Sequence, residues 1–155
     1  MRHGRVAISA MVMLALACGG NSTGPSPTYD NIAGTYSGAL AGVSQGVTLQ
    51  ATFTLTITQS AGSLGGSYGI SGTLYDGVST VAVQGTGTLA GNIAAGNNPS
   101  VNITVTSGIC PNVSARFSGA YDSVNGVVTL NGTVPIFNAS CQVVLNYPGT
   151  IILRH

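Results

Sequence analysis

The chain has 155 residues, 5% of them charged and 44% hydrophobic, with 4 Lys+Arg against 3 Asp+Glu and no Lys, Glu or Trp. That length suits one domain, and a high apolar share with near-zero net charge argues against disorder. Only Arg2, Arg5, Arg116 and Arg154 are basic, too few to track a phosphate backbone, so nucleic-acid binding is excluded; groups for acid–base or metal chemistry are equally scarce.

Arg2 and Arg5 precede an apolar run from Val6 to Ala17, broken only by Ser9. The run is shorter than the about 20 residues that span a bilayer and suits the apolar region of a secretory signal peptide. It ends in Leu14-Ala15-Leu16-Ala17-Cys18. These residues resemble the lipobox of bacterial lipoproteins, and the resemblance covers residues 1–18. It implies removal of residues 1–17 and a diacylglycerol thioether and an N-acyl chain such as palmitate on Cys18. The protein would then be membrane-anchored in the bacterial cell envelope. Ala15 stands where Leu is commonest. Gly19, rather than Asp, follows the cysteine, which by the same resemblance implies the outer membrane, facing the periplasm or the cell surface. Several acyl chains give stable anchoring where one would be marginal. The alternative is an ordinary signal peptide cut near Ala17, with Cys18 incidental.

Residues 18–31 hold the lipidated cysteine and a Gly/Ser/Thr/Pro/Asn stretch that reads as a flexible tether, and 32–155 form a single β domain. In Val47–Thr58, Val47, Leu49, Ala51, Phe53, Leu55 and Ile57 share one face, and Thr48, Gln50, Thr52, Thr54, Thr56 and Thr58 share the other. Six matches to a period of two read as a strand. The same alternation predicts strands over Gly34–Leu40, Leu64–Tyr75, Val81–Leu89, Val101–Val105, Val113–Tyr121, Val128–Val134 and Val143–Leu153. Between them lie turn signals at Ser60-Ala61-Gly62-Ser63, Asp76-Gly77, Gly96-Asn97-Asn98-Pro99 and Asn125-Gly126.

Eight antiparallel strands in about 120 residues predict an all-β, eight-stranded up-and-down β-barrel; a two-sheet sandwich is the alternative. Setting Cys18 aside leaves Cys110 and Cys141, an even pair in an exported chain and hence a candidate disulfide. A meander places both at one end, opposite the termini. Pro135 and Pro148 disfavour regular pairing and predict an irregular segment over 135–148, with imperfect closure there.

Gly34-Thr35-Tyr36 and Arg154 loosely resemble the lipocalin and avidin group, in which Gly-x-Trp opens the first strand and an Arg from the last strand packs on that Trp. Tyr36 stands in the Trp position, and without Trp the chain implies no biotin site.

Few residues offer chemistry. His3 falls in the signal region, and His155 reads as a frayed terminal side chain. Asp76 and Asp122 sit where turns need them, Asp30 lies in the tether, and Arg116 has the parity of the outer face. A serine or threonine nucleophile needs an adjacent base, and the domain interior has none. Glycines such as Gly85 and Gly87 lie inside a strand, where they allow bending. The chain therefore reads as no enzyme, with no metal and no cofactor. Two functions stay open. One is binding of a small apolar or neutral ligand in an interior lined by Phe53, Leu55, Ile57, Tyr68, Ile70, Val83, Ile103, Phe117 and Leu130, with Phe53, Leu55, Tyr68 and Phe117 as candidate ligand contacts. The other is a structural or accessory envelope role with a filled core and no ligand. A membrane-spanning barrel would show aromatic girdles, which nine aromatic residues without Trp do not supply. Sequence names no protein partner.

Overall fold

Alternating apolar and polar side chains build eight strands: β1 (Gly34–Ser44), β2 (Val47–Ser60), β3 (Ser63–Tyr75), β4 (Thr80–Ile93), β5 (Ser100–Ser107), β6 (Ser114–Asp122), β7 (Val127–Phe137) and β8 (Val143–Arg154). The structure, a computed structural model, describes residues 26–155. Cys18 and the signal region lie outside the described residues. Each strand pairs antiparallel with the next, and β8 returns to β1 to close an up-and-down barrel. The sandwich alternative is thereby excluded. Every strand finds both neighbours within Gly34–Arg154, so the described residues carry a complete barrel.

Along β2 the inward set is the expected one. Leu49, Phe53, Leu55 and Ile57 are buried, whereas Gln50, Thr52, Thr56 and Thr58 are exposed. The β1–β2 hairpin turns on Gln45 and Gly46, at φ 51° and 80°. Such paired positive φ values match the twist of the flanking strands.

Asp76 accepts hydrogen bonds from the backbone N–H of Val78 (2.9 Å) and Ser79 (2.6 Å). Asp122 accepts from the Asn125 side chain (2.6 Å) and from the N–H of Asn125 (3.1 Å) and Val124 (3.0 Å). These bonds hold both carboxyls below the usual carboxylate range, with Ser79 foremost for Asp76 and the Asn125 side chain foremost for Asp122. Both acids are therefore turn-holding groups.

Up-and-down order puts residues 32 and 155, with the β2–β3, β4–β5 and β6–β7 turns, at one end, the base. The other four connections form the distal rim. At the base, the tyrosine cluster replaces the arrangement implied by the lipocalin likeness. Arg154 is exposed and pairs with Ser37, while the neighbours of the Tyr36 ring are His155 (5.0 Å between centroids) and Tyr121 (6.5 Å). His155 is thus packed edge-on against Tyr36 rather than frayed. Residues 28–31, assigned above to the tether, belong to this base too. Gln59 donates from Nε2 to the Asp30 carbonyl and accepts from the Ile32 N–H, and Tyr121 donates to the Asn31 carbonyl. Ile32 is fully buried. The tether ends nearer residue 27 than residue 31.

The irregularity expected over 135–148 is confined to a register shift between Ile136 and Phe137 and the short loop that follows. β7 runs through Pro135 and β8 through Pro148, in register with Asn146 and Thr133 respectively, and only residues 138–142 form a loop. The prolines are tolerated because each has one unbridged flank. The β6–β7 ladder stops at Phe117↔Gly132, short of Pro135, and β1 and β8 are bridged only at Ser37↔Arg154, far from Pro148. A missing N–H costs little where no ladder partner waits for it. Imperfect pairing does occur, but at the β1–β8 seam and along upper β7.

Candidate functional site

Strand lengths shape the distal end. β5 and β6 have 8 and 9 residues, against 11 to 14 for the others. The β4–β5 ladder ends at Gly87↔Ser107, so Thr80–Gly85 rise above β5 without a ladder partner on that side. The upper part of β7, from Thr133 to Phe137, likewise rises above β6. The wall is low between β4 and β7, and the interior is open towards that gap.

Below the gap lies a cavity of about 300 Å³, at the lower end of small-molecule sites. Phe53, Tyr68 and Phe117 line it, with Ile70, Leu74 and Val83 from β3–β4, Val105, Val113 and Ala115 from β5–β6, and Val134 and Ile136 from β7. Phe53 is central to this aromatic group, 5.8 Å from Tyr68 in a stacked arrangement and 5.8 Å from Phe117. Leu55 does not reach the cavity. It is fully buried with Ile57, Ile103 and Leu130 in the packed half nearer the base. Three of the four candidate ligand contacts are thus brought together, and the fourth is part of the core.

The rings of Tyr68 and Phe117 lie over glycines on the neighbouring strand. Tyr68 is in register with Gly87, and Phe117 with Gly132. A Cβ placed on Gly87 would collide with the Thr106 carbonyl oxygen and sit 2.6 Å from the Tyr68 ring, and one on Gly132 would sit 2.5 Å from both the Arg116 carbonyl oxygen and the Phe117 ring. Side chains at those two positions would collide with the adjacent backbone as well as with both aromatics, so glycine there admits the close strand approach and the two rings together. Aromatic cover of strand glycines is a recognised device for holding register in curved sheets.

Polar groups are few here. Ser107, buried, accepts hydrogen bonds at Oγ from the N–H of Cys110 (3.0 Å) and Ile109 (3.3 Å). Burial pushes the Tyr68 phenol up from its ordinary value, opposed by a smaller effect of its hydrogen bond to Ser107. The phenol is therefore a neutral donor at physiological pH, and no other titratable side chain lines the cavity. The cavity offers an apolar body, a polar spot at Tyr68 and Ser107, and the exposed Gln84 and Ser114 as further polar lining.

The rim over the gap is stapled. Cys110, in the β5–β6 loop, is disulfide-bonded to Cys141, in the β7–β8 loop, as the cysteine count suggested. Asn138 folds the second loop by accepting at Oδ1 from the N–H of Ser140 and Gln142, both at 3.0 Å. Gly108 N–H donates to the Thr86 carbonyl at 2.9 Å, tying the first loop to β4. The tall strands and the short ones are thereby held in one frame around the cavity. Sequence reasoning missed Val105, Val113, Ala115, Val134 and Ile136 as lining. Alternation marked the first four as inward, whereas Ile136 fell in the segment expected to be irregular; which inward positions face a void depends on strand length and stagger.

No group of three His, Cys, Asp or Glu side chains able to hold a metal ion occurs among the described residues. Fold and site together define a small up-and-down β-barrel with an apolar cavity at one end and a packed core at the other. Comparison with protein-family models, with characterised proteins and with solved structures found no match to this chain.

Proposed function

We propose that this protein is a lipid-anchored envelope lipoprotein whose barrel binds a small apolar or neutral molecule and catalyses no reaction. The observation that carries the reading is the unfilled, aromatic-floored cavity, because a barrel serving only as a structural module gains stability by filling its interior. About 300 Å³ accommodates a molecule of about 10–15 non-hydrogen atoms at ordinary packing. Tyr68 and Ser107 suit one hydroxyl, ether or carbonyl on it. The absence of charge from the lining favours a neutral ligand, since an unpaired ion would lose its hydration there.

A non-catalytic role is supported by the placement of the acids. Asp76 and Asp122 serve turns at opposite ends, Asp30 lies at the base, and none lines the cavity. The anchor rests on the lipobox likeness at Cys18; the tether would join the barrel at its base, the end opposite the rim.

Native mass spectrometry of the full chain extracted from its own envelope is expected to show a bound small molecule released on unfolding; ligand-free protein in every preparation would refute the binding role. For the anchor, metabolically supplied palmitate is expected to label the wild type and to be lost in Cys18→Ala. Label that persists in that variant would overturn the assignment.

A further inference from the structure

We propose that the distal rim docks on a lipid surface, independently of headgroup charge, so that the apolar ligand exchanges directly between bilayer and cavity. The inference rests on the ligand reading of that cavity and adds its source.

Nine large apolar side chains are exposed among the described residues, and seven of them belong to the rim: Val43, Tyr75, Val78, Val81, Ile109, Val143 and Val144. They come from all four distal connections and the strand ends beside them. Val78 and Ile109, at 91% and 74% exposure, stand out on two different loops. Concentrated exposure of this kind marks an interaction site.

Three features favour lipid as the occupant. First, the rim is almost free of charge. Asp76 is its one ionised side chain, and that carboxylate is turned onto the N–H groups of Val78 and Ser79. Asp30, Asp122 and Arg154 are at the base, and Arg116 lies on the outer wall opposite Thr104. Second, the apolar groups are carried on separate tips around a gap rather than on one flat face. A fluid partner conforms to such an outline, whereas a protein partner needs complementary shape. Third, the apolar rim is continuous with the apolar lining through Val81, which is both exposed and part of the cavity wall. A ligand moving between bilayer and cavity would then not cross water.

Reach permits this from the anchor. Strands of 14 residues at a tilt near 40° give a barrel about 35 Å tall. The ten residues from 18 to 27 extend to at most about 35 Å, about the height of the barrel, so near full extension they let the rim turn to the anchoring membrane, and otherwise the rim faces another.

The test uses residues 19–155, which hold the complete barrel and neither leader nor acyl site, in flotation with phosphatidylcholine vesicles. Wild type and Val124→Asp, a control at 90% exposure in the β6–β7 turn at the base, should float alike. Val78→Asp/Ile109→Asp should bind at least about tenfold more weakly. Adding phosphatidylglycerol or salt should change little. Docking would be overturned by wild type that fails to float, by equal loss in the base control, or by binding that requires anionic lipid. It would also be overturned by a rim-dependent dimer in sedimentation without vesicle binding. Native mass spectrometry reads the cavity separately, so lost flotation with retained ligand overturns docking alone.

Discussion

Cys110→Ala/Cys141→Ala is expected to lower the unfolding free energy by about 4 kcal/mol, the entropy a closed loop of this size removes from the unfolded chain in the loop-closure model. The sequence separation is 31 residues, and the bridge joins the two loops that overhang the low wall. Alanine is the gentler replacement because Cys110 is itself buried. For a domain of about 120 residues the loss corresponds to a fall in Tm of roughly 15 °C. Urea unfolding should give the same midpoint for the variant and for reduced wild type, both well below the oxidised protein. A difference under about 1 kcal/mol would mean that the rim is held without the bridge.

Leu55→Ala and Leu130→Ala should each cost about 3–5 kcal/mol, whereas Ile70→Ala should cost only about 1–2. The first two side chains are fully buried in the packed half, so truncation removes contacts and leaves a new void. Ile70 is half-buried and already borders the cavity, so its truncation enlarges an existing space and sacrifices less contact. Denaturant unfolding of the three variants under one set of conditions checks this. Equal losses at all three positions would mean that the two halves are packed alike and that the cavity is not a standing feature of the fold.

How far the sequence discloses this molecule varies with the kind of information. The twelve alternating residues of Val47–Thr58 reveal the inward face of β2 because period two is a local property of the chain. Strand count and up-and-down order follow from turn residues such as Asp76 and Asn125, again locally. The pairing of Cys110 with Cys141 follows from arithmetic and from meander geometry.

Stagger is different. The early ends of the β4–β5 and β6–β7 ladders depend on how eight strands tilt around a closed circuit, and no single segment records that. The prolines mislead for the same reason. Pro135 and Pro148 appear to interrupt a hairpin until the adjoining ladders are seen to stop short of them. Leu55 and Phe53 are two residues apart with the same parity, yet one is core and the other cavity wall. His155 looks like a frayed end until Tyr36, over a hundred positions away, provides a ring to pack on.

The near absence of charge acquires a physical role once the barrel is assembled. Threonine, serine and asparagine dominate the outer wall, with Arg116 among them, and no charged side chain lines the cavity. The rim presents aliphatic side chains beside a single, locally satisfied carboxylate. That distribution of charge is what the proposed apolar ligand and lipid surface would require.

The distal cavity is expected to take one small apolar molecule, and titration with 1-naphthylamine, a neutral fluorophore within the size the cavity accommodates, reads that binding directly. Wild-type protein should show saturable enhancement at one site, with the same affinity at pH 5.5 and 8.5 because the one titratable lining group, Tyr68, is held neutral. Val83→Trp, from a half-buried position in the cavity wall, should remain folded and lose at least about tenfold in affinity by occupying the space itself. Enhancement that never saturates, or that is indifferent to Val83→Trp, would show that the cavity takes no such molecule.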